Sequence, residues 1–459
     1  MRILIIGAGD IGFQLANRLS RQKHDITMIE ADPQRVKRAS EQLDANIING
    51  NGASYRVLEQ ANLDGVEIVA AMTDRDEVNL LSCKLAKKIG VPTTIARVRH
   101  PQFTQPDFIL DGAELGTDLI IHPEKETADS AISLIHHPSA TYAVELEDGR
   151  IELLGLTLAP ESPLLDIPFR DFEQHLDHLR LRVVAVNRKY TTVIPQGDTV
   201  LKTGDQVFAV CDPDYSAEFI KLTGRIDAEM KDIMIVGGGL IGRFIADSLA
   251  QEAQVKIIEQ DRNRAEELAD ILPHALVIHG DGTDIDLLEQ EGLDEMDAFV
   301  AVTGDDENNI ITTLLAQHSR VKRAISLVNK AQYLTVASRI GVDAVISKQL
   351  LTVNTVERYI QQEVASIADL PGIEAQLIEY IVSDGCDIAA SELRDCRFPR
   401  DAIVGAVLRQ NEVFIPHGDT RLQAGDKVVV FALPEAMTQL DKLFTRVNSR
   451  KRISRFLPI

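Results

Sequence analysis

The sequence is poor in cysteine, with four in 459 residues, Cys83, Cys211, Cys386 and Cys396. No two form a CxxC pair and no histidine stands beside them at zinc-site spacing, so they read as isolated thiols of a reducing compartment. Long apolar runs are missing too: the strongest, such as Val428 to Leu433, fall far short of the roughly 20 residues that span a bilayer. The opening MRILIIGAG enters a glycine loop at once and leaves no space for a signal peptide, so a cytoplasmic location is expected. Positive charge is scarce, 48 Lys plus Arg against 70 Asp plus Glu, for a net charge of -22. That balance disfavours long-range attraction to nucleic acid or anionic lipid. One local exception is the basic cluster Arg446, Arg450, Lys451, Arg452 and Arg455, either a solvated tail or a contact with an acidic partner or lipid headgroups. The 45% hydrophobic content is that of a soluble globular protein, and the length calls for several domains.

What the sequence has in abundance is itself. MRILIIGAGDIGFQLANRLSRQKHDITMIEAD returns as KDIMIVGGGLIGRFIADSLAQEAQVKIIEQD, so that Gly7, Gly9 and Gly12 recur as Gly237, Gly239 and Gly242. At the same displacement Gly50 and Gly52 meet Gly280 and Gly282, VLEQANLD meets LLEQEGLD, and AAMTDRDEVN meets VAVTGDDENN. A second repeat pairs IPQGDTVLKTGDQVFAV with IPHGDTRLQAGDKVVVF. The order is therefore large, small, large, small, an internal duplication with boundaries near 138, 228 and 370.

Each large module opens on a short buried strand, Ile3 to Ile6 in the first, that ends in the first glycine. A helix face follows, Ile11, Leu15 and Leu19 or Ile241, Ile245 and Leu249, and then a second strand closed by Glu30 or Glu259. Strand, glycine turn, helix, strand and acid is the dinucleotide-binding arrangement of a Rossmann-like parallel sheet. Gly7 and Gly237 allow the tight turn, Gly9 and Gly239 let the backbone approach a pyrophosphate, and Gly12 and Gly242 seat the helix on the strands. The loop residues Asp10, Ile11, Leu240 and Ile241 place the first helical amides where an anion would lie. Glu30 and Glu259 stand close to the spacing at which an acid reads a ribose 2′-hydroxyl, which favours NAD or NADH over their 2′-phosphorylated forms. With no cation between the glycines, a diphosphate suits the loops better than a triphosphate, though ATP or ADP stays open.

Further candidates lie at the ends of later strands. Asp281 in HGDGTD could meet an adenosine, and its counterpart Asn51 in NGNGAS is neutral, which predicts unequal sites. Thr73 and Thr303, placed at the end of a fourth strand, either face a ligand or cap the next helix, whose first acids suit its positive end. Arg97 and Arg99 flank a fifth strand only in the first copy, where the second has Leu327 and Asn329, as phosphate or partner contacts or as surface arginines. Arg243 either reaches a phosphate or faces solvent. The small modules look β-rich with a little helix, their Gly–Asp pairs marking turns; Arg188 and Arg409 correspond across them and either bind an anion or lie exposed. No catalytic or metal-binding set repeats with the clefts, and His100, His122, His136, His137, His175 and His178 have no counterparts in the second half. Paired nucleotide sites without a reaction centre suit a sensor. An NAD-dependent oxidoreductase and a soluble nucleotide sensor acting on another cytoplasmic protein are the alternatives.

GAGDIG at 7–12, GGGLIG at 237–242, Glu30, Glu259, the GNGAS and GDGTD turns, TDRDEVN, TGDDENN and the IPQGDT and IPHGDT tails together resemble the TrkA family of Trk potassium uptake systems over nearly the whole chain. The resemblance implies an α/β chain of tandem Rossmann-like RCK N-terminal domains at 1–138 and 229–370. Each would be followed by a small β-rich α+β C-terminal domain, at 139–228 and 371–459. It further implies a homo-oligomeric ring on the inner face of the cell membrane, beneath an integral membrane potassium-translocating subunit. NAD or NADH, with ATP or ADP as further ligands, would bind at Gly7, Gly9, Gly12 and Glu30 and at Gly237, Gly239, Gly242 and Glu259, and would change the ring's shape.

Overall fold

The structure, a computed structural model, describes residues 1–104, 108–146, 149–176, 179–189, 191–360, 366–369, 375–410 and 412–444. The basic cluster between Arg446 and Arg455, and His178, lie outside the described residues. Four sheets follow one another along the chain. The first runs β1 (Arg2–Ile6), β2 (Asp25–Glu30), β3 (Asn46–Asn49), β4 (Ile68–Ala71), β5 (Thr93–Arg97) and β6 (Leu119–Ile121), in the spatial order 3-2-1-4-5-6. All its neighbours are parallel. Strands such as IVAA of β4 are buried along their whole length, which a parallel sheet covered by helices on both faces requires. The order reverses between β1 and β4, and that crevice is where open α/β sheets bind ligands.

The first small sheet, β7 (Ala140–Leu146), β8 (Ile151–Thr157), β9 (Leu181–Arg188), β10 (Thr191–Val193) and β11 (Gln206–Cys211), is antiparallel in the order 10-9-11-8-7. The large pattern then repeats with β12 (Asp232–Val236), β13 (Gln254–Glu259), β14 (Ala275–His279), β15 (Ala298–Ala301), β16 (Arg323–Leu327) and β17 (Ala344–Ile346) in the order 14-13-12-15-16-17. The second small sheet, β18 (Ser366–Asp369), β19 (Gln376–Ile381), β20 (Ala402–Arg409), β21 (Glu412–Phe414) and β22 (Lys427–Ala432), orders as 18-19-22-20-21. Read from the other edge it is the order of the first small sheet, so the duplication holds at the level of topology. The α/β architecture expected from the sequence is the one observed. Among the described residues no helix is long and apolar enough to cross a membrane.

The compact units do not follow the repeats. One consists of Met1–Thr127 with Ser347–Ile360, the other of Ala128–Ile346 with Gln361–Ile459. The helix Lys348–Ile360 follows β17 in sequence, yet its Val353, Val356 and Ile360 are buried with Ile3, Ile5, Leu15 and Ile121 of the first large module. Its Glu357, fully buried, lies 2.7 Å from Nε of Arg18, and Arg18 donates through Nη1 to Asn354 at 3.1 Å. In return, the later turns of the helix Pro123–His136 add Ala128, Ala131, Leu134 and Ile135 to the core cluster that holds β12 and β13. His136 ends that helix 2.9 Å from Glu252.

Within the second unit the two small sheets share a core of Leu153, Val184, Phe208, Val210, Leu377, Val429 and Phe431. Each has a bulge on its pairing with the central strand, skipping Val184 on β9 and Gly405 on β20, and these positions correspond across the repeat. A Cβ on Gly405 would come within 3.1 Å of Val210 and 3.2 Å of Val184, so the absence of a side chain sets how closely the bulges approach.

Candidate nucleotide-binding clefts

Each crevice is floored by its glycine loop. Gly7 and Gly237 take φ of +100° and +107°, the left-handed region that a glycine enters without strain. A Cβ on Gly12 would lie 2.0 Å from the carbonyl oxygen of Gly7, and one on Gly242 would lie 2.0 Å from that of Gly237, so helix and strand touch backbone to backbone. The middle glycines are different. Nothing stands within 4 Å of a Cβ on Gly239, and on Gly9 only Nη1 of Arg35, at 3.6 Å, comes that close. The middle position thus opens toward the crevice, as a cradle for phosphate needs. Ile11 and Ile241 turn their side chains into the core, leaving their amides to face an anion, and Leu240 opens its helix. Asp10 is exposed, 3.9 Å from Arg38.

The two glutamates are buried and identically bound. One oxygen of Glu30 accepts the amide of Ala8 and the other that of Asp32 at 2.8 Å; Glu259 accepts Gly238 and Asp261, both at 2.8 Å. Each acid therefore clamps the glycine loop to the loop after the second strand and still has lone pairs for a ribose hydroxyl. Asp32 and Asp261 then cap the next helices by accepting Gln34 and Arg264 amides. This local order brings Arg35 and Arg264, which correspond across the repeat, to the two clefts. Nη1 of Arg264 lies 3.9 Å from Glu259. Sequence reasoning passed over this pair, although alignment of EADPQR with EQDRNR contained it.

In the second cleft Gly237, Gly239, Glu259, Arg264, Asp281 and Thr303 line one cavity of about 350 Å³, within the range of small-molecule sites. Asp281 closes its turn by accepting the amide and hydroxyl of Thr283 at 2.9 and 2.8 Å; Asn51 closes the equivalent turn by accepting the Ala53 amide at 2.9 Å. Those Thr283 bonds hold the Asp281 carboxyl below its ordinary range. Thr73 and Thr303 lie two residues beyond β4 and β15 rather than ending them. Each hydroxyl donates to an asparagine, Asn79 or Asn309, at 2.6 Å. These asparagines are fully buried and also bond the threonine backbone and the carbonyl of Arg97 or Leu327, so they fix the cleft wall. The helix-start acids do more than meet a dipole: Asp76 accepts the amides of Arg99 and His100, and Asp306 those of Asn329 and Lys330.

Two arginine readings change. Arg97 is no surface residue: it is 9% exposed at the end of β5 and lies 3.1 Å from Oε1 of Glu124. Burial alone would push the Glu124 carboxyl up, but Lys348, Arg97, the helix amide and Arg99 hold it below the usual carboxylate range. Arg188 and Arg409 are structural, each donating twice to an aspartate, Asp205 or Asp426, and once to a turn carbonyl.

Comparison with known proteins follows the same division. The TrkA-N domain family matches residues 3–123 and 233–348, and the TrkA-C domain family matches 153–224 and 377–445. The Trk system potassium uptake protein TrkA homolog 1 of Methanosarcina mazei is 33% identical over 458 residues, covering 97% of this chain and all of that protein. The chain belongs to the TrkA family. Among solved structures, the GsuK channel bound to NAD superposes with a TM-score of 0.63 at 18% identity, over 96% of this chain and 78% of that one. GsuK bound to ADP gives 0.51 at 15% identity, over 79% and 69%. Both share the fold of this TrkA family member.

Proposed function

We propose that this TrkA family member is the nucleotide-reading regulatory subunit of a Trk-type potassium uptake system. The observation that carries the reading is the cleft built twice, each with an open middle glycine and a buried glutamate clamping the phosphate-side amide. In the first cleft Gly7, Gly9, Gly12 and Glu30 would hold one adenine nucleotide, with Asn51, Thr73 and Arg97 along its wall. In the second Gly237, Gly239, Gly242 and Glu259 would hold another, with Asp281 and Thr303. NAD or NADH fits the glutamates best, and the bound states of GsuK make NAD and ADP the first ligands to try. The nucleotide supplies differential affinity for two packings of the chain, and no chemistry on it is needed. A homo-oligomeric ring at the inner face of the membrane would pass that bias to an integral potassium-translocating subunit.

The test is co-purification with such a subunit and potassium flux into vesicles carrying both, with and without NAD, NADH, ADP and ATP. Association with a nucleotide-dependent flux is expected. Absence of both, or stoichiometric turnover of NADH with a small substrate, would replace the reading, in the latter case by an oxidoreductase.

A further inference from the structure

The two small modules share a groove of about 1180 Å³, above the roughly 300–1,000 Å³ of small-molecule sites. One side of it is a strand edge. Residues 412–415 line the groove consecutively, and because side chains along a strand alternate between its two faces, an unbroken run places the edge there rather than one face. Among the described strands β21 pairs with β20 alone, so its other edge is open. The groove is also lined by four arginines: Arg150 in the turn before β8, Arg170 in the helix Phe169–Leu176, Arg180 just before β9, and Arg182 on it. Leu179 and Leu181 are buried while Arg180 is exposed and Arg182 half-buried, so the two arginines share the outer face. Arg182 donates through Nη2 to the carbonyl of Pro416 at 2.5 Å, and Gln196 through Nε2 to that of Arg400 at 2.9 Å, which pins the arginine wall to the second small module. Asp212, Asp214 and Glu412 line the groove too, but Asp212 is turned to Arg180 at 3.5 Å and accepts the Asp214 amide at 3.2 Å. Four guanidinium groups against three carboxylates reverse the balance of a chain with 70 acids and 48 bases. Where the first module has Arg180 and Arg182 the second has Asp401 and Ile403, so this charge belongs to one copy.

We propose that this groove docks an extended acidic segment of a partner protein, which adds a strand to the open edge of β21 and lays its carboxylates against Arg150, Arg170, Arg180 and Arg182. The edge supplies backbone hydrogen bonds whatever the sequence, and the arginines select acids. Acids at alternate positions meet them best, because alternate side chains of a strand share a face. The residues between find apolar surface on Phe414 and on Phe169 and Phe172, whose ring centroids lie 4.6 Å apart. The size of the groove and the run of strand edge along it favour a chain over a small anion. The site lies wholly in the small modules and does not rest on the nucleotide-reading function proposed above.

The test is fluorescence anisotropy of the full chain with a labelled peptide of about ten alternating Glu and Val residues, long enough to follow the strand edge. It is expected to bind, and its Gln–Val counterpart to bind about tenfold more weakly or worse. Arg170→Gln and Arg180→Gln, both at exposed positions, should each weaken the Glu–Val peptide about threefold. Glu412→Gln, which takes an acid off the strand edge, should tighten it about twofold. Methylating alternate peptide nitrogens deletes strand pairing and keeps the charge, and should cost about tenfold. Thermal melts that match the wild type show that the variants are folded. No binding of the Glu–Val peptide, equal binding of the Gln–Val peptide, or indifference to the arginine variants or to methylation would overturn the assignment. Citrate binding as tightly as the peptide would overturn it as well, and would make the groove a small-anion site.

Discussion

At the scale of single residues, the three glycines of a loop are not equivalent, and their difference can be measured. A methyl group at Gly242 would overlap the carbonyl of Gly237, whereas one at Gly239 would point into open space. Gly242→Ala should therefore lower stability by about 1–3 kcal/mol and abolish nucleotide binding at that cleft. Gly239→Ala should melt like the wild type yet weaken binding there about tenfold or more, because the methyl group takes the place of a phosphate oxygen. Thermal melts beside calorimetry check both, and equal melting of the two variants would refute the division of roles. These glycines and the glutamates were legible in the sequence because the pattern strand, turn, helix, strand, acid is local and appears twice. Asn79 and Asn309 were not singled out, since an asparagine inside a helix has no periodic signature. Only its side-chain bonds to a threonine and to the end of the neighbouring strand reveal its place.

At the scale of elements, the helix Lys348–Ile360 is held in the first unit by a buried ion pair as well as by apolar packing. Removing Glu357 takes a fully buried carboxylate away from the Arg18 guanidinium, so Glu357→Ala should destabilise the first unit by about 3–5 kcal/mol, read by denaturant melts. Glu124 gives a second handle, through pH. Its carboxyl titrates below the ordinary 4.5 when folded, so its contribution is complete above that value and is lost as pH falls through the lower folded value. The gap in melting temperature between wild type and Glu124→Gln should be largest near about pH 6 and close as the buffer is taken below about pH 4.5. A gap that does not change over that span would show that the carboxylate is not held by its cations. The first five strands of the large sheets were legible from their apolar runs and the sixth was not, and nothing in the sequence joined 97, 124 and 348. Such a cluster is made by tertiary packing alone, and the helix that delivers Lys348 comes from the other repeat.

At the scale of the whole molecule, duplication has produced two large sheets of one topology and two small sheets that meet through matching bulges. Gly405 stands at that meeting and corresponds to Val184, so the copies have diverged where they touch. Gly405→Val would drive two methyl groups against Val210 and Val184, and a loss of about 1–3 kcal/mol is expected, visible as a lowered melting temperature. An unchanged melt would mean that the sheets can part there without cost. The exchange of helices has a practical corollary for anyone cutting the gene. A fragment stopped after the first small module would lack the segment that covers β1 and the 10–21 helix, leaving Ile3, Ile5 and Leu15 without the wall that Val353, Val356 and Ile360 supply. Half-length products should then be sticky and poorly folded when made separately, and recover when both are synthesised in one cell.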